Sequence, residues 1–516
     1  MDLWQKGLIK QLLDEAKAIQ KRLFSTKRTV KQNTAKSFCN LILQGKVSAA
    51  CKLINRSSSS GPLKVNNAVL QVLKEKHPPT QEGGRAIMVN ETPNIVQQII
   101  YENIDSETVY RSAMQTKGSG GPSKVDSEIW RQLCCSKSFL PASENLCEQI
   151  AIMARRLCRG YVDPECLTQY TAGRLIPLDK GSTPESIKLR PIGIGEILRR
   201  IVGKSVLSIL KSDITNAAGP LQTCAGVQGG IEASVHAMRE VFSDQNVEAI
   251  LLVDAENAFN GLNREASLLN MNIVCPEFLK YLVNTYRKPS RLFINDGDGE
   301  YILSEEGSTQ GDNTAMSMYS CSIKPLIDLL GDDSLYSKHG EPKAKQAWYA
   351  DDSAAAGKLT SIFIWWKELL GKGPYLGYHP QPEKSHLLVK NEEAFRKASQ
   401  LFHGSGVKIT LEGRPYLGSA IGTEQYTRHF AEKKVEEWVD DVLALSKVAA
   451  SEPHAAYYGY INGISKRWLY LMRTNSGIAD VFQPLKEAVR NNLIPALIGK
   501  NIPDLERKIF SLPTKY

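Results

Sequence analysis

The chain has 516 residues, of which 42% are hydrophobic and 23% are charged, as is typical of a folded globular protein with two or three structural units. No apolar stretch approaches the ~20 residues that cross a bilayer, and the charged N-terminal segment lacks the apolar region of a signal peptide. Both features argue against the membrane and secreted classes. We therefore expect an intracellular protein, in the cytoplasm or the nucleus, without a membrane partner.

The net charge of +9 is unevenly distributed, since residues 1–36 contain nine Lys/Arg against three Asp/Glu. Such a basic segment suits a polyanionic partner, although a solvated helix face explains it equally well. The ten cysteines form no CxxC pair, and the eight histidines show no HxxxH spacing. We therefore expect buried thiols rather than zinc ligands or disulfides.

Patterns along the chain predict an α+β protein with helical ends. Residues 1–55 carry apolar side chains at helical spacing, and a Ser-rich joint follows at 56–62. Between 170 and 420, short apolar runs alternate with helical patterns, and beyond 425 the pattern is helical almost to the end. Strand pairs are predicted at 173–180 with 188–192, and at 291–294 with 301–304.

Two predicted buried strands end on carboxylates. The apolar run 249–253 leads into Asp254, and the run 346–350 leads into Asp351 and Asp352. Small residues follow Asp352, as expected for a hairpin that returns into the sheet. Carboxylates at the ends of adjacent strands can hold two divalent cations about 4 Å apart, the arrangement used in phosphoryl transfer. These aspartates are therefore the predicted catalytic residues.

Other acidic pairs compete for this role. Asp332 and Asp333 follow a glycine, as in a short motif of RNA-dependent RNA polymerases, but a helical pattern precedes them directly. Asp440 and Asp441 lie within a strongly helical pattern. We expect both pairs to be exposed helix or loop charges.

The order of these motifs resembles the reverse transcriptases of retroelements such as non-LTR retrotransposons and group II introns. The resemblance covers about residues 115–475 and rests on Asp254 with Phe259, Ser308-Thr-Gln-Gly311, Tyr349-Ala-Asp-Asp352, Lys384 and Tyr416-Leu-Gly418. It implies a right-hand polymerase whose antiparallel palm sheet bears the carboxylates. The implied domains are a helical basic region of open role at 1–110, fingers at 111–248, palm at 249–424, and a helical thumb at 425–516 that we expect to be truncated.

The resemblance also implies a metal centre. Asp254, Asp351 and the carbonyl of Ala255 would bind two Mg²⁺ ions, for which Mn²⁺ could substitute, and Asp352 would be the third acidic member. Phe259 would pack against the sugar and exclude a 2′-hydroxyl, which favours deoxynucleotides. The alternative for Phe259 is an ordinary core position after a strand.

Further nucleotide and primer contacts follow from the same resemblance. Gln310 and Gly311 would touch the template and the nucleotide, and Lys384 would protonate the leaving pyrophosphate unless it is a plain surface lysine. Lys180 and Arg190, in the two basic strands, are candidates for phosphate contact. The primer 3′ end would be held by Tyr416, Leu417 and Gly418.

The expected function is RNA-directed DNA synthesis, in which a DNA or RNA primer is extended with dNTPs on an RNA template. One alternative is a non-catalytic or truncated nucleic-acid-binding protein, which the intact carboxylates argue against. The other is an RNA-dependent RNA polymerase, which Phe259 argues against. Template specificity, priming mode and oligomeric state stay open.

Overall fold

The computed structural model describes residues 6–25, 33–55, 61–81, 92, 94–183, 186–294, 299–500 and 503. The expected mixture of sheets and helices is confirmed. The chain divides into a larger unit, Ser60–Lys433 with Tyr470–Val481, and a smaller unit, Met1–Ser59 with Lys434–Leu469 and Phe482–Tyr516. Over the described ranges, no helix has both the length and the apolar character needed to span a membrane.

The strands of the larger unit are numbered in chain order. They are β1 Gly173–Asp179, β2 Leu189–Gly195, β3 Ala249–Val253, β4 Ser290–Phe293, β5 Tyr301–Ser304, β6 Lys345–Tyr349, β7 Asp352–Gly357, β8 His386–Val389, β9 Lys408–Thr410, β10 Gly413–Tyr416 and β11 Ser419–Gly422. They form a five-stranded sheet in the order β6-β7-β3-β8-β9, a four-stranded sheet in the order β2-β1-β4-β5, and the pair β10-β11.

The five-stranded sheet is built around β3. This strand pairs antiparallel with β7 on one side and with β8 on the other. Successive side chains of a strand point to opposite faces, so Leu251 enters the main hydrophobic core while Ile250 enters a second core shared with β11. The prediction of an antiparallel sheet needs one correction, because β9 runs parallel to β8.

The four-stranded sheet contains both predicted strand pairs. β1 and β2 are antiparallel, and β4 and β5 form the expected hairpin, although residues 295–298 of its loop lie outside the described residues. β1 and β4 pair in parallel and join the two hairpins. One face of this sheet is covered by the helix Asn67–Glu75, whose Val69 and Leu73 pack on Leu175 and Leu292.

Helices of the larger unit surround these sheets. They are Asn67–Glu75, Ser106–Gln115, Ser127–Cys135, Leu140–Arg159, Thr168–Thr171, Ile197–Ile209, Lys211–Ala218, Gly230–Ser243, Ala258–Gly261, Arg264–Val274, Pro276–Tyr286, Ala315–Ser322, Lys324–Leu330, Asp333–Ser337, Leu359–Lys372 and Glu392–Leu401. Asn and Asp side chains cap several of these helices, among them Asn66, Asp105 and Asn263, which accept hydrogen bonds from backbone N–H groups of the first turn.

The smaller unit is helical in its described part, as predicted for both ends of the chain. Its helices are Ile9–Ser25, Thr34–Leu43, Val47–Ile54, Pro453–Asn462, Gln483–Ala488 and Ile494–Ile498, and the helices Glu424–Ala449 and Leu469–Thr474 contain residues of both units. Close packing requires a glycine at position 459, where a Cβ would lie 2.7 Å from Cζ of Phe38.

One expectation about the competing acidic pairs needs correction. Asp332 caps the short helix Asp333–Ser337, and both aspartates are exposed, as expected. Asp441 is instead 3% exposed and forms an ion pair with Arg467. The helical pattern of the sequence does not show which side of the helix is buried, so it does not predict the burial of Asp441. Asp441 therefore has a structural partner and is unavailable as a metal ligand.

Candidate active site

The sheet brings the three predicted catalytic aspartates to one edge. Asp254 directly follows β3, Asp351 lies in the two-residue turn between β6 and β7, and Asp352 begins β7. The register pairs Val253 with Ser353, so Asp254 lies beside the position of Asp352 on the neighbouring strand. The order of strands, rather than the distance along the chain, makes these carboxylates neighbours.

Burial and the grouping of three carboxylates at this edge raise the pKa of two of them. Partial burial and the neighbouring Asp351 and Asp254 raise the pKa of Asp352 from 3.8 to about 6. Burial and Asp254 also raise the pKa of Asp351, and two cations, Lys180 and Arg190, act against this increase. Like charges in a partly desolvated place disfavour ionisation unless cations neutralise them. The cluster therefore favours cation binding.

The turn that carries Asp351 has an unusual backbone. Ala350 has a positive φ of 55°, a conformation that costs a non-glycine residue about 1–2 kcal/mol. Two buried side chains support this turn. Gln222 hydrogen bonds the backbone of Ala350, and Tyr378 donates from its hydroxyl to the Asp351 carbonyl at 2.9 Å and lies 2.9 Å from the Ser353 hydroxyl. Asp351 is therefore held in place by groups outside its own hairpin.

Predicted phosphate-binding cations lie beside these carboxylates. Lys384 ends a short 3₁₀ turn, and its Nζ lies 3.8 Å from Oδ2 of Asp254, with its side chain 65% exposed. Lys180 and Arg190 lie at the loop end of the β1–β2 hairpin, where both residues are exposed. Both cations lie close enough to Asp351 to oppose the rise in its pKa.

Phe259 lies on the short helix Ala258–Gly261, five residues after Asp254. Its ring stacks on Tyr319 with 4.8 Å between ring centroids and 27° between ring planes. Its carbonyl accepts a hydrogen bond from Ser308 N at 2.7 Å, and Gly307 approaches so closely that a Cβ there would lie 2.2 Å from this oxygen. Phe259 itself is half-buried.

Gln310 and Gly311 lie against β2. The carbonyl of Gln310 accepts a hydrogen bond from Gly193 N at 2.8 Å. Gly311 has a φ of 113° and would bring a Cβ within 2.6 Å of the Gly193 carbonyl, so only glycine fits there. The described structure therefore places both residues between β2 and the helix Ala315–Ser322.

The Tyr416-Leu-Gly418 motif forms the tight turn between β10 and β11. Leu417 and Gly418 both have positive φ, 48° and 79°, as a two-residue type I′ turn requires. The hydroxyl of Tyr470 donates to the Leu417 carbonyl at 2.6 Å. Tyr416 is only 5% exposed and packs in the second core with Ile250. The accessible part of this motif is therefore the turn, and the ring of Tyr416 anchors it.

The donor set fits a magnesium site that its substrate completes. Among the described residues, no group of three His, Cys, Asp or Glu side chains is arranged to enclose a metal ion alone. Mg²⁺ is usually bound by one or two carboxylates and by substrate phosphates, rather than by a cage made only of protein. Asp254, Asp351 and the Ala255 carbonyl provide such a partial set, and the charge repulsion among the carboxylates is what a divalent cation would relieve.

Comparison with solved structures finds similarity to viral polymerases. The RNA-dependent RNA polymerase of a human picorbirnavirus aligns with a TM-score of 0.40 and 10% identity, over 92% of this chain and 89% of that chain. Its insertion loop deletion mutant aligns with a TM-score of 0.42 and 12% identity, over 91% and 92%. No family model and no curated protein matches the chain. At these TM-scores, the functional assignment rests on the geometry of the site.

Sequence reasoning missed the residues that hold the site together. Gln222 lies 128 positions before Ala350 and is fully buried, yet nothing in its neighbourhood marks it as special. Ser385 Oγ lies 3.4 Å from Asp254 N, from which it accepts a hydrogen bond, and Tyr378 supports Asp351 from a loop. A buried polar residue needs a partner, but the sequence alone does not reveal which backbone group provides it.

Proposed function

We propose that this chain is a template-directed nucleic-acid polymerase, and specifically an RNA-directed DNA polymerase of the retroelement type. The observation that carries the proposal is the meeting of Asp254, Asp351 and Asp352 at one edge of the five-stranded sheet. Nζ of Lys384 lies 3.8 Å from Oδ2 of Asp254, and Lys180 and Arg190 lie close enough to Asp351 to lower its pKa. Carboxylates for metal ions with cations for phosphates make a site for phosphoryl transfer.

In the proposed reaction, the primer 3′-hydroxyl attacks the α-phosphate of a nucleoside triphosphate and pyrophosphate leaves. Two divalent cations, when bound, would lower the pKa of that hydroxyl and neutralise the leaving group. Asp254, Asp351 and the Ala255 carbonyl would hold the metal ions. Lys180 and Arg190 would bind the phosphate oxygens, and Lys384 would give a proton to the pyrophosphate. Gln310 and Gly311 would support the templating pair.

The choice of DNA as product rests on Phe259. Its half-buried ring lies five residues after Asp254 and is fixed from behind by the stack on Tyr319. A rigid ring at the sugar would leave no room for a 2′-hydroxyl and would offer it no hydrogen bond. In the proposed domain arrangement, residues 111–248 are fingers, 249–424 palm and 425–516 thumb, and the turn at Leu417 and Gly418 would contact the primer end.

Primer extension tests the proposal directly. The purified chain would be given a labelled DNA or RNA primer on RNA and DNA templates, with dNTPs or rNTPs and with Mg²⁺ or Mn²⁺. We expect templated extension on RNA with dNTPs. Extension with rNTPs alone would replace the proposal by an RNA polymerase. Salt-sensitive RNA binding without synthesis under any condition would favour a non-catalytic binding protein.

A further inference from the structure

Residues 61–81 form a segment that is fixed against the site. Leu63 N donates to the Pro177 carbonyl at 2.8 Å, and Asp179 N donates to the Gly61 carbonyl at 3.1 Å, so the segment begins by pairing antiparallel with the end of β1. The helix Asn67–Glu75 then buries Val69 and Leu73 in the core beneath the four-stranded sheet. The segment is therefore packed and hydrogen bonded as a part of the larger unit.

Lys76 follows this helix and is tied to the chain just after the catalytic strand. Its carbonyl accepts hydrogen bonds from Nδ2 of Asn257 at 2.9 Å and from Nδ2 of Asn260 at 3.1 Å. Asn257 adopts a left-handed conformation with φ of 48°, three residues after Asp254. Asn is among the few residues that tolerate this conformation. The backbone of Lys76 is thus fixed relative to Asp254.

The side chain of Lys76 belongs to a group of cations. Burial lowers the pKa of Lys76, and the nearby Lys180 and Lys384 lower it further, whereas the carboxylates of Glu256 and Glu75 raise it. A half-buried ammonium group beside two others is stabilised by an anion that contacts all three. Lys384 lies 3.8 Å from Asp254, so this anion would sit next to the catalytic carboxylates.

We propose that Lys76 binds the triphosphate of the incoming nucleotide, together with Lys180 and Lys384. The inference rests on the proposed polymerase function and assigns a role in nucleotide binding to the segment before the first sheet. A triphosphate fits better than a nucleic-acid backbone, because it carries several negative charges within a few ångströms and must lie beside the carboxylates. Lys76 is a binding residue in this proposal, and the hydrogen bonds from Asn257 and Asn260 position it.

The test compares Lys76→Ala with Lys74→Ala, a matched loss of one charge from the same helix end. Lys74 is exposed and its backbone carbonyl, which caps the helix end, is unaffected by the change. We expect Lys76→Ala to raise the KM for dNTPs about 10-fold, equivalent to about 1.4 kcal/mol, with a smaller change in kcat. Lys74→Ala should leave KM unchanged. Lys76→Arg should keep most of the affinity, and none of these variants should change primer–template affinity.

A second measurement separates this inference from the proposed activity. Inorganic tripolyphosphate, titrated into the unmodified protein with Mg²⁺, should bind, and Lys76→Ala should weaken this binding by a similar factor. An inactive wild-type chain would overturn the proposed function while leaving this measurement informative. Equal KM and equal tripolyphosphate affinity in Lys76→Ala and Lys74→Ala would overturn the role of Lys76. A loss of primer–template affinity in Lys76→Ala alone would assign the residue to the template instead.

Discussion

The side-chain amide of Gln222 hydrogen bonds both backbone polar groups of Ala350. Its Oε1 accepts from Ala350 N at 2.8 Å, and its Nε2 donates to Ala350 O at 3.1 Å. Gln222 is fully buried, and Ala350 is 3% exposed with a positive φ. One side chain thus satisfies two buried groups that the tight turn leaves without sheet partners. The turn that presents Asp351 depends on this contact.

We expect Gln222→Met to destabilise the protein and weaken its metal binding. The substitution keeps the side-chain volume but leaves two buried backbone groups without partners, at about 1–3 kcal/mol each. Thermal and denaturant unfolding would measure the loss of stability, and the rise in melting temperature on adding Mg²⁺ would report metal binding. Gln228→Met, at an exposed position nearby, is the control. Equal stability of both variants would show that the turn does not depend on the hydrogen bonds from Gln222.

We expect Asp254→Asn and Asp351→Asn each to reduce primer extension by at least about 10³-fold, equivalent to about 4 kcal/mol of transition-state stabilisation. Each change removes a charge that the proposed metal ions require, without removing volume. Primer–template affinity should be nearly unchanged, because in the proposed reaction these carboxylates bind the metal ions and not the duplex. Asp332→Asn, which retains a helix-capping side chain, is the control and should keep full activity. Residual extension at wild-type rate in either site variant would remove the assignment.

The sequence predicted the ingredients of this site better than their supports. Asp254 and Asp351 each follow an apolar run, which is a local signal for the end of a buried strand. Neighbouring strands of a sheet bring such ends together. The pairings of β3 with β7 and with β8 join residues 100 or more positions apart, and such contacts leave no local pattern. The parallel direction of β9 beside β8 also has no local signal in the sequence. For the same reason, the sequence does not predict the roles of Gln222 and Lys76, whose partners are also distant along the chain. The predicted primer contact of Tyr416 stays a prediction, and its ring packs in the core.

The raised pKa of Asp352 predicts a pH-dependent stability. Its pKa rises from 3.8 to about 6 in the folded protein, so the folded state holds this proton more tightly than the unfolded chain. The resulting stabilisation is complete below pH 3.8 and is lost as the pH rises through about 6. Asp352→Asn removes this dependence. In EDTA, the melting temperature of Asp352→Asn minus that of the wild type should therefore be greater at pH 8 than at pH 4.

Magnesium provides the complementary measurement for the same carboxylates. At pH 8, Mg²⁺ should raise the melting temperature of the wild type, because the ion relieves repulsion among ionised carboxylates and binds only the folded state. At pH 5, protonation competes with the metal ion and the increase should be smaller. Asp333→Asn changes an exposed charge elsewhere and should behave like the wild type. An Mg²⁺ effect independent of pH would indicate that these carboxylates do not bind the ion.

Phe259→Ala should relax the choice of sugar. Removing the ring opens space beside Asp254 while Tyr319 remains behind it, so a ribonucleotide could be accepted with its 2′-hydroxyl. Discrimination based on size in an apolar site amounts to about 1–3 kcal/mol, so we expect the ratio of kcat/KM for dNTP over rNTP to fall about 10- to 100-fold. Single-nucleotide incorporation with matched dNTP and rNTP measures this ratio. Phe293→Ala, at another half-buried phenylalanine on β4, controls for general loss of stability. An unchanged ratio in Phe259→Ala would indicate that this residue is an ordinary core phenylalanine. The proposal that DNA is the product would then have no support from the site.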